Sequence, residues 1–137
     1  MRTFLYAYGA TTVVFLVLDA IWLTTMVNSI YRPRLGGLLL EQPRLGVAAL
    51  FYLLYVVGVV VFAVLPGLRS GDWTQSLALG ALFGLVAYAT YDMTNLATLR
   101  GWSEFVTLVD LVWGTAVTGV SATLGMLAVQ WWLGRAA

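Results

Sequence analysis

Four long runs of apolar residues constrain the fold of this chain more than any other feature. A helix that crosses a membrane needs about 20 mostly apolar residues, and four stretches reach that length: residues 3–27, 46–65, 74–99 and 105–133. The runs are too long for the alternating strands of a membrane barrel. Charged residues make up 9% of the sequence, whereas soluble domains average about 25%. The sequence therefore predicts an all-α bundle of four transmembrane helices, forming a single integral membrane domain over residues 1–137.

Two residue types that carry much protein chemistry, histidine and cysteine, do not occur in the sequence. Disulfides, thiolate catalysis, zinc–sulfur sites and histidine acid–base chemistry are therefore excluded. Carboxylates alone can hold magnesium or calcium, but no D-x-D or E-x-x-H spacing supports such a site. The net charge is +1, and no basic run indicates nucleic-acid binding. We predict no cofactor, no metal site and no nucleic-acid partner.

The connections between the runs differ in length and composition. The first, residues 28–45, is the longest, and its residues 35–40 are expected to form either a short segment at the membrane interface or an ordinary loop. The second, residues 66–73, is rich in Pro, Gly, Ser and Asp and predicts a tight turn. The third, residues 100–104, is short, so the third and fourth helices should be antiparallel neighbours.

Three carboxylates interrupt the apolar runs: Asp19, Asp92 and Asp110. An ionisable residue inside a membrane helix is a functional hypothesis by default, because the bilayer core supplies no water to it. Counted from the predicted helix ends, each carboxylate lies roughly 8–12 Å below the same face of the bundle, at a rise of about 1.5 Å per residue. We therefore expect the three acids to share one layer and to face one another.

Helical phase supports an inward position for these acids, because residues spaced by three and four share a face. The third helix carries a stripe with Asp92 at its edge: Gly80, Gly84, Tyr88, Tyr91 and Asn95. The fourth carries another: Asp110, Gly114, Thr118, Ser121 and Gly125. The first carries Tyr8, Thr12 and Asp19. On the second helix Tyr52 and Tyr55 lie near the depth of the acids, where core packing is the expected role. Small residues in such stripes let membrane helices approach closely.

The same short motif occurs in the first and fourth helices: Trp22 lies three residues after Asp19, and Trp113 lies three residues after Asp110. Because the helices run in opposite directions, the shared motif could reflect an inverted repeat of the transporter kind. It could also reflect chance or similar packing requirements. The indole N–H could donate to the carboxylate, or the ring could shield it.

Candidate residues for binding or proton relay follow from these patterns. The three acids form the centre, and Asn95, Tyr91, Trp22 and Trp113 are predicted to support them by hydrogen bonding and shielding. Arg100 is predicted to pair with an acid at the mouth of the site. No catalytic residue is assigned.

Several motifs resemble one known family. They are Leu18-Asp19-x-x-Trp22-Leu, Phe51-Tyr52-Leu-Leu-Tyr55, Tyr88-Ala-Thr-Tyr91-Asp92-x-Thr94-Asn95-Leu-Ala-Thr98-Leu-Arg100-Gly-Trp102 and Val109-Asp110-x-x-Trp113-Gly114. Together they resemble a bacterial membrane family catalogued as domain of unknown function 2177. The resemblance covers nearly the whole chain and implies a polytopic bacterial membrane protein in a lipid context. It implies no particular activity.

The functional interpretations differ in what the buried acids do. Protonated aspartates could simply hold helices together, in a structural or accessory scaffold for lipid-modifying partners. The cluster could line a proton-linked or small-molecule pathway, a pocket for the head of a lipid-like ligand, or the site of a small membrane enzyme with carboxylate acid–base chemistry. We predict a bacterial inner-membrane protein that binds or transports a small or lipid-like molecule. With few helices around the site, we also expect contact with membrane lipid and a homo-oligomer.

Overall fold

Four helices, each long and apolar enough to cross a membrane, make up the computed structural model. It describes residues 2–39 and 44–136, without the side chains of residues 135 and 136. The helices are α1 (Arg2–Leu38), α2 (Leu45–Ser70), α3 (Trp73–Thr98) and α4 (Glu104–Ala136). No strand occurs in these two ranges. The prediction of an all-α bundle with four membrane-spanning helices is thus confirmed.

Two prolines that the sequence analysis assigned to connections lie inside helices instead. The first predicted helix was expected to end near residue 27, but α1 continues through a π-helical turn, Val27–Tyr31, before Pro33. In the same way α2 passes through a π-helical turn, Val60–Val64, before Pro66. A proline lacks the N–H that the preceding turn would use and its ring crowds that turn. The wider π-helical turn relieves both problems, so each helix continues.

The end of α1 covers most of the segment, residues 35–40, that was expected to lie at the interface or to form a loop. Leu35 is buried and ends the α-helical part of α1, and Gly36–Leu38 forms a single 3-10 turn. Gly36 adopts a φ of 50°, a conformation that glycine allows without strain. Leu40, the last residue of the predicted segment, lies outside the described residues.

The turn between α2 and α3 is shorter than predicted, because residues 66–70 belong to α2. Gly71 ends α2 with a φ of 71°. The Asp72 carboxylate caps α3 by accepting from the Thr74 amide at 2.9 Å and from its hydroxyl at 2.6 Å. These two donors hold the pKa of the exposed Asp72 below its usual range. At the next turn, Ser103 accepts from the Val106 amide at 3.1 Å and begins α4.

Helix α4 packs against all three other helices, most extensively against α3 and α1. Its inward face is the predicted stripe, since Gly114, Thr118, Ser121 and Gly125 are all buried. The core around it is apolar and includes Phe15, Val56, Val60, Val117 and Met126. On α1 the buried stripe is Ala7, Thr11, Phe15 and Asp19. The predicted stripe on α1 was therefore one residue out of phase, because Thr11 rather than Thr12 faces Gly125 of α4.

Candidate functional site

Close packing of α3 on α4 positions the first two acids. A Cβ atom built on Gly80 would lie 2.8 Å from the Ala122 Cβ, and one on Gly84 would overlap the carbonyl oxygen of Gly114. Only glycine therefore allows the two backbones to approach this closely. Asp92 continues the same i+4 row toward the end of α3, where it meets Asp110 of α4. Each acid lies fewer than two turns from its helix end, a depth of roughly 9 Å.

Asp92 is the most unusual side chain of the structure. Its exposed fraction is 0%, and no donor group of another side chain or of the backbone among the described residues reaches either carboxylate oxygen. Its carboxyl group lies against that of Asp110, so the two acids can hydrogen-bond by sharing one proton. Most buried polar side chains in proteins are hydrogen-bonded, and an unpartnered one carries a desolvation penalty. Asp92 thus presents unused acceptors to the interior of the bundle.

Asp110 is held from the opposite side by the end of α1. The Tyr31 hydroxyl donates to the Asp110 carboxylate. The Trp22 indole Nε1–H donates in turn to the Tyr31 oxygen at 2.9 Å. Because Tyr31 lies in the π-helical turn of α1, the course of the helix before Pro33 determines where this hydroxyl lies. A chain of hydrogen bonds therefore runs from α1 to Asp110.

Asp19 forms the third part of the cluster. Its exposed fraction is 7%, and its carboxylate accepts from the Tyr52 hydroxyl of α2 at 2.8 Å. The indole of Trp113 faces the Asp19 carboxylate, although Trp113 Nε1 has no partner with hydrogen-bond geometry. Asp19 and Asp110 also interact through space. The structure therefore brings all three acids into one connected cluster.

Aromatic side chains fill the space around the acids. The Trp22 and Trp113 rings stack with centroids 4.2 Å apart and an interplanar angle of 9°. Tyr55 and Thr118 share a hydrogen bond between their hydroxyl groups. The Tyr88 ring covers Gly114 and interacts electrostatically with Asp19 and Asp110. The polar layer thus receives side chains from all four helices.

Three of the predicted supporting residues lie at the edge of the cluster or outside it. The exposed fraction of Tyr91 is 59%, and its ring packs edge-on against Trp102 at 5.6 Å between centroids. Asn95 is half-buried beside the Tyr91 hydroxyl. Arg100 is exposed in the turn after α3, and no hydrogen bond or ion pair joins it to a described acid. The structure shows no pairing of Arg100 with an acid in the described residues, because the side chain lies beyond the end of α3.

The inward row on α3 also differs from the predicted stripe. Gly80, Gly84 and Asp92 are buried, whereas Tyr91 is not. Residues of α3 that are four apart form the ridge that packs against α4. The buried row therefore continues from Gly84 to Asp92 and does not include Tyr91. Asp92 is therefore central rather than at the edge. That the eight candidates bind a ligand or relay protons stays a prediction.

Sequence reasoning missed Tyr31 and did not assign Tyr52, Tyr55 or Tyr88 to the site. Tyr31 was missed because α1 was expected to end before it. Tyr52 was placed at the right depth but expected only to pack, although it donates to Asp19. A tyrosine at the depth of a membrane-buried acid is the signal that could have found it, since the acid needs a donor.

Spacing among the acids limits what the cluster can hold. In residues 2–39 and 44–136, no three acidic side chains lie close enough together to bind a metal ion. Hard divalent cations need about six oxygen ligands at roughly 2.0–2.6 Å. Asp92 and Asp110 lie against each other, and aromatic rings and hydroxyl groups surround the three carboxyl groups. Such a layer can accept hydrogen bonds, exchange protons or surround a larger polar group.

The fold and this layer define a polytopic membrane protein with buried carboxyl groups between its four helices. The chain belongs to the family of predicted membrane proteins named domain of unknown function 2177 (DUF2177), whose family model matches residues 4–127. Asp19, Asp92, Asp110 and the four tyrosines around them all lie within the matched region. Comparison with curated proteins found no match, and comparison with solved structures found none either.

Proposed function

We propose that this protein resides in a bacterial inner membrane and binds the polar end of a small or lipid-like molecule between its helices. Asp92 is the centre of the proposed site, with Asp110 beside it and Asp19 at its far side. The observation that carries the proposal is the Asp92 carboxyl group, which is fully buried and, within the described residues, has no partner besides the Asp110 carboxyl group. A polar head that donates hydrogen bonds would satisfy it.

The neighbours of Asp92 support a binding role over a purely structural one. Asp19 and Asp110 each accept a hydrogen bond from a tyrosine of another helix, as expected of acids that connect helices. Asp92 instead contacts another acid, Asp110 of α4, and accepts from no tyrosine in the described residues. Its burial therefore brings two carboxyl groups together, which carries a desolvation penalty. Ionisable residues retained at this depth in membrane helices commonly mark substrate, ion or proton pathways.

The test compares native ligands retained by three purified proteins. Wild type, Asp92→Asn and Glu104→Gln are extracted in mild detergent, and bound molecules are measured by native mass spectrometry. Glu104 is a suitable control because it is an exposed acid at the start of α4. We expect a retained molecule in wild type and Glu104→Gln that is lost in Asp92→Asn. Equal retention by all three proteins, or an empty site in wild type, would contradict the proposal and favour a scaffold role.

We also propose that the protein assembles as a homo-oligomer in the membrane. Support comes from the small number of helices around the site, four in the described residues. Mass measurement in mild detergent tests this directly. A monomer would count against assembly without affecting the proposed site, since that site lies within one chain.

A further inference from the structure

The carboxyl cluster contains no positively charged side chain. All arginines in the described ranges with described side chains are exposed: Arg2, Arg32, Arg34, Arg44, Arg69 and Arg100. None forms an ion pair or hydrogen bond with the three acids. Arg34, for example, lies over the Phe105 ring with its guanidinium carbon 4.2 Å from the centroid. Two buried acids, Asp19 and Asp92, and the half-buried Asp110 thus share one layer. No basic side chain described by the structure balances them.

The free atoms at Asp92 are acceptors, so an occupant must supply donors. Apart from the Asp110 carboxyl group, both carboxylate oxygens lack a partner among the described residues, and Asp110 itself accepts from Tyr31. An ionised carboxylate only accepts hydrogen bonds, whereas a primary ammonium donates up to three and accepts none. An anionic head would instead add a negative charge next to existing carboxyl groups. Donor chemistry and charge both favour a cation with N–H groups.

The shape of the layer favours an organic cation over a bare metal ion. The acids do not form a group that could hold a metal ion, within the residues that the structure covers. They are instead interleaved with the rings of Trp22, Trp113 and Tyr88. Aromatic faces attract organic cations. An ammonium group can contact one or two carboxyl groups and a ring without needing a complete shell of oxygen ligands.

We propose that the cluster binds the primary ammonium group of an amphiphile, with Asp92 as its main acceptor. This inference rests on the proposed function and specifies the chemical class of the ligand. The ammonium donates to the two free oxygens of Asp92, and the Asp110 carboxyl contributes a further negative neighbour. The apolar tail lies toward the membrane because the site is enclosed by membrane-spanning helices. A lipid amine and a water-soluble amine share this head, and chain length separates them.

The experiment measures binding to the whole protein in nanodiscs by isothermal titration calorimetry, with empty nanodiscs as the blank. The probes are dodecylamine, dodecyltrimethylammonium, dodecanol and propylamine. The proteins are wild type, Asp92→Asn, Asp110→Asn and the exposed-acid control Glu104→Gln. A charge-assisted hydrogen bond corresponds to roughly a tenfold to hundredfold change in affinity. We therefore expect dodecylamine to bind wild type at least about tenfold more tightly than dodecyltrimethylammonium or dodecanol, and Asp92→Asn to remove that preference.

The outcomes separate this inference from the proposed function. If dodecanol or dodecyltrimethylammonium binds as tightly as dodecylamine and still depends on Asp92, the ammonium inference is overturned while the proposed site stands. If no probe shows binding that depends on Asp92, the ammonium inference is overturned, and loss of the native ligand in Asp92→Asn decides the proposed function separately. Propylamine binding as tight as dodecylamine binding supports the ammonium head and identifies a water-soluble source. If Asp92→Asn does not fold, Asp110→Asn reports on the same carboxyl pair and must weaken dodecylamine binding.

Discussion

The indole rings of Trp22 and Trp113 stack face to face, with centroids 4.2 Å apart and an angle of 9° between their planes. Each tryptophan lies three residues after an aspartate in the sequence, but each interacts with the aspartate of the other helix, directly or through Tyr31. Trp22 donates to Tyr31, which donates to Asp110, while Trp113 faces Asp19. The repeated Asp-x-x-Trp motif therefore places two tryptophans in one stack between antiparallel helices, and each tryptophan is linked to the aspartate of the opposite helix.

Coupling between the two tryptophans is the first prediction. Stacked aromatic pairs contribute about 0.5–1.5 kcal/mol beyond the burial of their area, so Trp22→Leu and Trp113→Leu should not be additive. We expect the double variant to lose less free energy of unfolding than the sum of the two single losses. Reversible unfolding in detergent measures this quantity. Strict additivity would show that the stack contributes no coupling.

Replacement of Asp92 by asparagine should preserve or increase stability while removing ligand binding. Among the described residues the Asp92 carboxyl group has no partner besides Asp110. An asparagine amide would donate to Asp110 in its place, and the substitution removes one of two adjacent buried acids. Thermal unfolding of wild type and Asp92→Asn, both without ligand, measures the difference. A loss of more than about 2 kcal/mol would instead assign Asp92 a structural role.

Removal of the Tyr31 hydroxyl should loosen the end of α1. Tyr31→Phe deletes the donor to Asp110 and the acceptor of the Trp22 indole N–H. A cost of about 1–3 kcal/mol is expected, because buried groups are left without partners. Hydrogen exchange should become faster in Val27–Tyr31. Tyr91→Phe is the matched control, since Tyr91 is largely exposed, and equal effects of the two variants would contradict the prediction.

Two glycines provide a direct test of the α3–α4 packing. A Cβ at Gly84 would overlap the Gly114 carbonyl and the Thr118 side chain, whereas one at Gly9 meets nothing within 4 Å. Gly84→Ala should therefore destabilise by about 1–3 kcal/mol or more through overpacking. Gly9→Ala should stabilise by up to about 1 kcal/mol through helix propensity. Unfolding of both variants under the same conditions measures the contrast, and similar values would refute the packing described here.

The cap of α3 should respond to acid. Two Thr74 donors hold the pKa of Asp72 below its usual range, so the folded state favours the ionised form. This stabilisation is fully present above the unfolded-state pKa, about 3.9, and disappears as the pH falls through the lower folded-state value. Amide exchange at Thr74 should therefore accelerate only in strong acid. In Asp72→Asn that pH dependence should be absent, and its persistence would place the titrating group elsewhere.

Helix number was predictable from the sequence, whereas the ends of α1 and α2 near their prolines were not. The apolar runs contain enough residues to span a bilayer, which does not depend on tertiary contacts. Pro33 and Pro66 were interpreted as loop signals, because proline usually breaks a regular helix. Because α1 continues through a π-helical turn, Tyr31 joins the site. The inward phase of α4 was predicted correctly, and those of α1 and α3 were predicted correctly in part.

The sequence by itself determined the class of this protein and the depth of Asp92 and Asp110 below their helix ends. Residues 3–27 and the three later runs are too apolar for water, and the carboxyl groups within them must be satisfied inside the protein. Only the tertiary structure decided which acid lacks a tyrosine donor. Asp19, Asp92 and Asp110 look alike in the sequence, and they differ because Tyr52 and Tyr31 reach two of them from other helices while none reaches Asp92. Hydrogen bonds between distant residues depend on helix packing angles and backbone turns, which local sequence does not specify.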